Sequence, residues 1–119
     1  MRDHKSLEAW RQAHIVVNAT IDLAESHWRP SLRAVYNQLS SAALSVQLNI
    51  AEGYALATRP LFIRHIRIAY GSAIEVGDLL ELLAERKAVP AEIASPVLHH
   101  CNRCQRLLLG LLRQIPKDQ

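Results

Sequence analysis

Four stripes of apolar residues, each repeating at intervals of three and four and each cut off by proline or glycine, constrain this chain more than any other feature. Leu7, Trp10, His14, Val17, Ile21, Ala24 and Trp28 form the first, and Leu32, Tyr36, Leu39, Ala43, Val46 and Ile50 the second. Phe62, Ile66, Ala69, Ala73, Val76, Leu80 and Leu83 form the third, and Val97, Cys101, Cys104, Leu108, Leu111 and Ile115 the fourth. That period marks one face of an α-helix. Neither the alternation of a strand nor an Asn-Gly or Asp-Gly hairpin turn is present. The spacing therefore predicts four helices. Ser6 has the side chain of an N-cap for the first, and Pro30 ends it. Gly53 suits the left-handed position that stops the second. Thr58 caps the third, with Pro60 in its first turn. Pro90 marks the next break and Pro116 closes the fourth helix. Pro96 leaves two starts open, one near Ala91 with a kink and one after Ser95.

Short connections make neighbouring helices antiparallel, so the expected fold is all-α, an up-down-up-down antiparallel four-helix bundle forming one domain over residues 1–119. Heptad-like spacing favours crossing angles near ~20°. Ala42 and Ala43 on helix 2, with Ala69, Gly71, Ala73 and Gly77 on helix 3, predict a close approach of these two backbones. Second apolar sets flank the main stripes: Leu44 and Leu48, then Ile63, Ile74 and Leu82, then Leu98, Leu107 and Leu112. Helices apolar on more than one side are buried on more than one side, which predicts a homo-oligomer. A thick monomer core is the other way to absorb these leucines.

Composition excludes several classes. The 119 residues carry 50% hydrophobic side chains and a formal charge of +3. No apolar run reaches the ~18 residues of a membrane span, and no secretory leader opens the chain, so a soluble cytoplasmic protein is expected. Cys101 and Cys104 are the only cysteines and do not make a disulfide framework.

Several segments carry a family likeness. Leu7-Glu8-Ala9-Trp10, Asn49-Ile50-Ala51-Glu52-Gly53, Gly71-Ser72-Ala73-Ile74-Glu75 and Leu109-Gly110-Leu111, in that order, resemble the four-helix-bundle proteins encoded in intervening sequences of bacterial 23S rRNA genes. That family is similar in fold to the accessory variability determinant of diversity-generating retroelements. The resemblance implies a ring-shaped homo-oligomer, typically a pentamer. The retroelement relative further implies a basic surface that contacts RNA or DNA and a reverse transcriptase. No reaction is implied. Between Gly53 and Pro60, where the pattern has a basic stretch, this chain reads Tyr54-Ala55-Leu56-Ala57-Thr58-Arg59, with one basic residue.

The polar clusters carry what candidate chemistry the chain has. Asn49 and Glu52 share one face of helix 2. They are read either as a pair lining a pocket or as a helix-end device, with Asn49 on backbone near the connection and Glu52 pairing with Arg59 or another base. His99, His100, Cys101 and Cys104 have part of a zinc pattern, but the second ligand pair is missing and the cysteines lie on the apolar stripe. No metal and no cofactor is expected. His14 falls on the first stripe and is read as a hydrogen-bonded core residue. Ser40, Ser41, Ser45 and Ser72 lack a partnered histidine and acid, no phosphate loop is present, and no acid pair stands out, so an enzyme is not expected.

Folding the charges onto the bundle is more informative. One pole receives Arg2, Lys5, Arg11, Arg59, Arg64, Arg67, Arg106, Arg113 and Lys117 against Asp3, Glu8, Glu52 and Asp118, an excess of five positive charges. The other receives Arg29, Arg33, Arg86, Lys87 and Arg103 against Asp22, Glu25, Glu75, Asp78, Glu81, Glu85 and Glu92, an excess of two negative charges. Helix 3 carries its arginines early and its acids late, the reverse of what the helix dipole prefers. The expectation is a non-enzymatic, ring-forming bundle in which Arg59, Arg64, Arg67 and Arg113 bind RNA or DNA phosphates, without reading sequence. The alternative is a purely structural or protein-binding scaffold with no nucleic-acid role.

Overall fold

The computed structural model describes residues 4–56 and 58–114. Four helices dominate it: α1 (Glu8–Ser26), α2 (Arg33–Ala55), α3 (Arg59–Glu85) and α4 (Ala91–Arg113), with single 3-10 turns at His4–Ser6 and Pro30–Leu32. Each packs on its neighbours in chain order and α4 closes on α1, so the bundle is up-down-up-down. Its extents of 46 × 22 × 21 Å match a rod one helix long and two helices wide. Hydrogen bonds between helices give the register. On α2 and α3, Gln38 meets Glu75, Ser45 meets Ser72 and Asn49 meets His65, so partner numbers fall on one helix as they rise on the other, as antiparallel helices require.

The second, third and fourth stripes are the core. Leu39, Ile50, Ile66, Leu80, Leu83 and Leu108 are closed to solvent. The fourth helix starts at Ala91 and runs through Pro96, which settles the choice left open by that proline. Near a helix start the missing N–H of proline costs one internal bond, here to Glu92, and burial of Ala94, Val97 and Cys101 around it holds the turn. Ile115 and Pro116, like Arg2, Asp3, Lys117 and Asp118 of the charge assignment, lie outside the described residues.

The first stripe is corrected by one residue. The face α1 buries is Ala9, Gln12, Ala13, Val16, Val17, Thr20 and Leu23, while His14 is exposed and Ile21 and Trp28 keep 47% and 46% of their surface in water. Both stripes have the helical period, so volume decides between them. The facing helices already carry large leucines and isoleucines, and the small side chains of α1 fill what remains. Its buried polar groups are satisfied: Thr20 donates to the Val17 carbonyl at 2.8 Å, and Gln12 Oε1 lies 2.7 Å from His100 Nδ1. His14 instead stacks on Trp10 at 4.9 Å and contacts Gln47 of α2.

Three end signals also read differently. The N-cap of α1 is Leu7, not Ser6, and it makes no side-chain cap bond. Thr58 does precede α3, again without a side-chain cap bond. Gly53 does not stop α2: the helix continues to Ala55, and no described glycine has positive φ. The left-handed residue is Lys87, with φ 57°, after α3. There Ala88 N–H donates to Leu83 O at 2.9 Å and Lys87 N–H to Ala84 O at 3.0 Å, the paired bonds of a Schellman cap.

Candidate functional site

Gly53, Asn49 and Glu52, the motif residues at the end of α2, all converge on one side chain of α3. A Cβ at Gly53 would lie 3.2 Å from the His65 Cβ and 3.6 Å from the Phe62 ring, so the glycine is where the two backbones come together. Asn49 Nδ2 donates to the Ser45 carbonyl at 2.8 Å, which leaves Oδ1 to accept from His65 Nδ1, also at 2.8 Å. Glu52 Oε2 stands 3.7 Å from the same nitrogen. Ser45 Oγ continues the chain to Ser72 Oγ at 2.8 Å. The helix-end reading holds in part, since Asn49 bonds backbone and Glu52 faces a base, His65, whereas the direct Asn49–His65 bond was not expected. These residues form a polar seam that fixes the register of α2 against α3. The sequence signal for it was spacing alone: His65 lies on the flank of the third stripe, opposite the motif once the helices are antiparallel.

Close approach through small residues therefore holds, but through a different glycine. Gly71 meets nothing within 4 Å, and Gly77 faces Gln105 of α4, whose Nε2 would be 2.9 Å from an added Cβ. Gln105 donates that amide to the Ala73 carbonyl at 2.9 Å.

The histidine and cysteine group is dispersed by the fold. His99 is exposed and His100 is bound to Gln12, while Cys101 and Cys104 point into the core. Their Sγ atoms donate to the Ala73 carbonyl at 3.3 Å and the Ala9 carbonyl at 3.5 Å. Burial pushes the two thiols up to about 11 and about 12, so both are protonated and inert near neutrality.

Arg59, Arg64 and Arg67 occupy the first three turns of α3, and Arg113 is the last residue of α4. All four are exposed, and among the described residues none has a carboxylate within ion-pairing distance. Arg103 and Arg106 precede Arg113 on the outer face of α4, where Glu92 is the sole acid of the helix. Arg11 differs: its guanidinium is 2.8 Å from Glu8. A bond from Gln12 first, and then Arg11, hold the Glu8 carboxyl below its usual range.

This same pole is hollow. A cleft of about 520 Å3 opens between the ends of α2, α3 and α4, lined by Gly53, Tyr54, Leu56, Thr58, Arg59, Phe62, Leu111 and Gln114. Tyr54 and Phe62 meet edge to face at 5.7 Å and are both half-buried. Of the four arginines, Arg59 lines this aromatic-walled depression. Arg59 of α3 lines the same cleft as Leu111 and Gln114, so the start of α3 and the end of α4 share this pole, as up-down topology requires.

Comparison with known proteins gives a family and a fold. A family described as 23S rRNA-intervening sequence protein matches residues 5–110. No curated protein was found to match. A crystal structure from Bacteroides thetaiotaomicron VPI-5482, described as a protein with unknown function from the S23 ribosomal protein family, superposes with a TM-score of 0.76. Identity is 21%, covering 90% of this chain and 96% of that one, a likeness of fold. No helix among the described residues is long and apolar enough to cross a membrane.

Proposed function

The chain belongs to the 23S rRNA-intervening sequence protein family, and on that premise we propose that it is a non-enzymatic, ring-forming subunit that binds nucleic-acid backbones through its basic pole. The observation that carries this reading is the set of exposed arginines without carboxylate partners, Arg59, Arg64, Arg67 and Arg113, gathered where α3 begins and α4 ends. The first turn of α3 holds no acid. Guanidinium groups grip phosphate oxygens in two places, and a run of them at one pole attracts a polyanion over a distance.

Self-assembly is supported by a separate feature. Leu44 and Leu48 of α2 are 45% and 53% exposed on a helix whose only charged residues are Arg33 and Glu52. Apolar area of this kind is stabilised by a second copy of the chain. Ring closure into a pentamer follows the family resemblance, and in such a ring the basic poles align on one rim.

Light scattering and a salt titration test both parts. An assembly, pentameric on this proposal, is expected at micromolar concentration. Affinity for nucleic acid is expected to fall with a log–log slope of about −0.9 for each phosphate neutralised on a DNA duplex and about −0.7 on a single strand. Replacing Arg64 and Arg67 by Glu weakens binding to every sequence and flattens the slope, whereas the same change at Arg29 and Arg33 does much less. A monomer refutes the ring. Absence of salt-dependent binding near physiological ionic strength refutes the nucleic-acid role and leaves a scaffold.

A further inference from the structure

The cleft beside Arg59 has the chemistry of a nucleobase site. Its walls are the half-buried rings of Tyr54 and Phe62 and the side chain of Leu111, which suit a flat apolar face. Its rim carries Thr58 and Gln114, both exposed. Thr58 does not spend its hydroxyl on capping α3, so hydroxyl and amide are available to the polar edge of a base. Arg59 stands beside them as a cation for the adjoining phosphate. At about 520 Å3 the space is within the size range of small-molecule pockets and admits a base with its sugar.

We infer that this cleft takes an unstacked base, so that the protein prefers single-stranded to double-stranded nucleic acid. The inference rests on the nucleic-acid role proposed above and adds the class of strand. Backbone contact by the arginines favours the duplex, which carries more phosphate charge per length, so a preference for the single strand has to come from another contact. Stacking supplies it, because a paired base keeps its faces against its neighbours, while any unpaired base can present one to an aromatic side chain. No particular base is selected, since every base has such a face.

The test uses the full chain with a fluorescein-labelled oligothymidylate strand and a duplex of the same length, titrated at one salt concentration. The unaltered protein binds the single strand tighter by roughly ten- to a hundredfold, the range of one base–aromatic stack. Tyr54→Ala removes that margin and Tyr54→Phe restores it, while helical circular dichroism and light scattering confirm fold and assembly. If Tyr54→Ala does not fold, a strand carrying one 2-aminopurine among thymidines decides in the unaltered protein, through quenching on stacking. Equal affinity for the two substrates overturns the inference and leaves the rim standing, as does a margin that survives Tyr54→Ala or an unquenched 2-aminopurine. No salt-dependent binding of either substrate removes the nucleic-acid role itself.

Discussion

An alanine placed at Gly53 and one placed at Gly71 should move stability in opposite directions, although both glycines lie inside helices. Glycine in a helix interior costs ~0.5–1 kcal/mol relative to alanine because its unfolded chain is freer. At Gly71 an added methyl meets nothing within 4 Å. The whole of that difference is then recovered, and Gly71→Ala is expected to stabilise by about 0.8 kcal/mol, or roughly 3–5 °C in Tm for a chain of this size. At Gly53 the methyl falls 3.2 Å from the Cβ of His65 and 3.6 Å from Phe62, both on α3. A Cβ cannot swing aside as the end of a long side chain can, so α3 must move, and overpacking of this kind costs ~1–3 kcal/mol. Net destabilisation of roughly 0–2 kcal/mol is expected, together with a stretched Asn49–His65 bond. Urea or thermal melts at matched protein concentration measure both variants. Equal stabilisation by the two would refute the assignment of Gly53 as the point of close approach.

Two further outcomes follow from the cap of α3 and from the core. Lys87 holds φ 57°, a conformation that costs an L-residue about 1 kcal/mol; Lys87→Gly is expected to raise stability by about that amount, and a loss in chemical denaturation would count against the cap. Cys101 and Cys104 have their thiols raised by burial from 9.0 in the unfolded chain to about 11 and about 12, so the unfolded state loses protons first as pH rises. Stability is therefore full below pH ~9 and lost progressively up to about pH 12; the Cys101→Ala, Cys104→Ala double variant should show a smaller alkaline loss between these limits, and an unchanged pH profile would refute the linkage.

Much of the fold was legible because three of the four helices bury a single stripe that the spacing singles out. Leu39, Val46 and Ile50, Ile66, Val76 and Leu80, and Cys101, Cys104 and Leu108 are all inside. The first helix was not, because two adjacent stripes share its period and only the volumes on facing helices choose between them. Gly53 was misread for a related reason. A glycine near a helix end satisfies local rules for a cap, and its actual task depends on His65, twelve residues further on and across an interface. His65 itself carried no local sign. Arg59, Arg64, Arg67 and Arg113 needed only the topology to be located, because a charge near a helix end goes where that end goes. The cleft beside them was invisible, since it lies between three helix ends and its Phe62 wall belongs to the third apolar stripe.

The dipole penalty on α3 is smaller than its reversed charge order suggests, and this shifts the weight of the electrostatic case. A helix dipole acts within the first turn, so Arg59 alone opposes it, at ~0.3–1 kcal/mol, while Arg64 and Arg67 lie beyond its reach. What distinguishes this pole is the absence of counterions along the strip. From Arg59 onward α3 has no carboxylate before Glu75, and α4 has none after Glu92. The described acids on this side are Glu8 and Glu52. The first is bound by Arg11 and Gln12, and the second faces His65 across the seam. Local ion pairing therefore leaves the rim arginines uncompensated, and burial of the stripe behind them, from Ile66 to Leu83, holds the helix without their help. Charges that folding neither uses nor cancels are available to an outside anion, and stacking the poles of a ring would raise that field further.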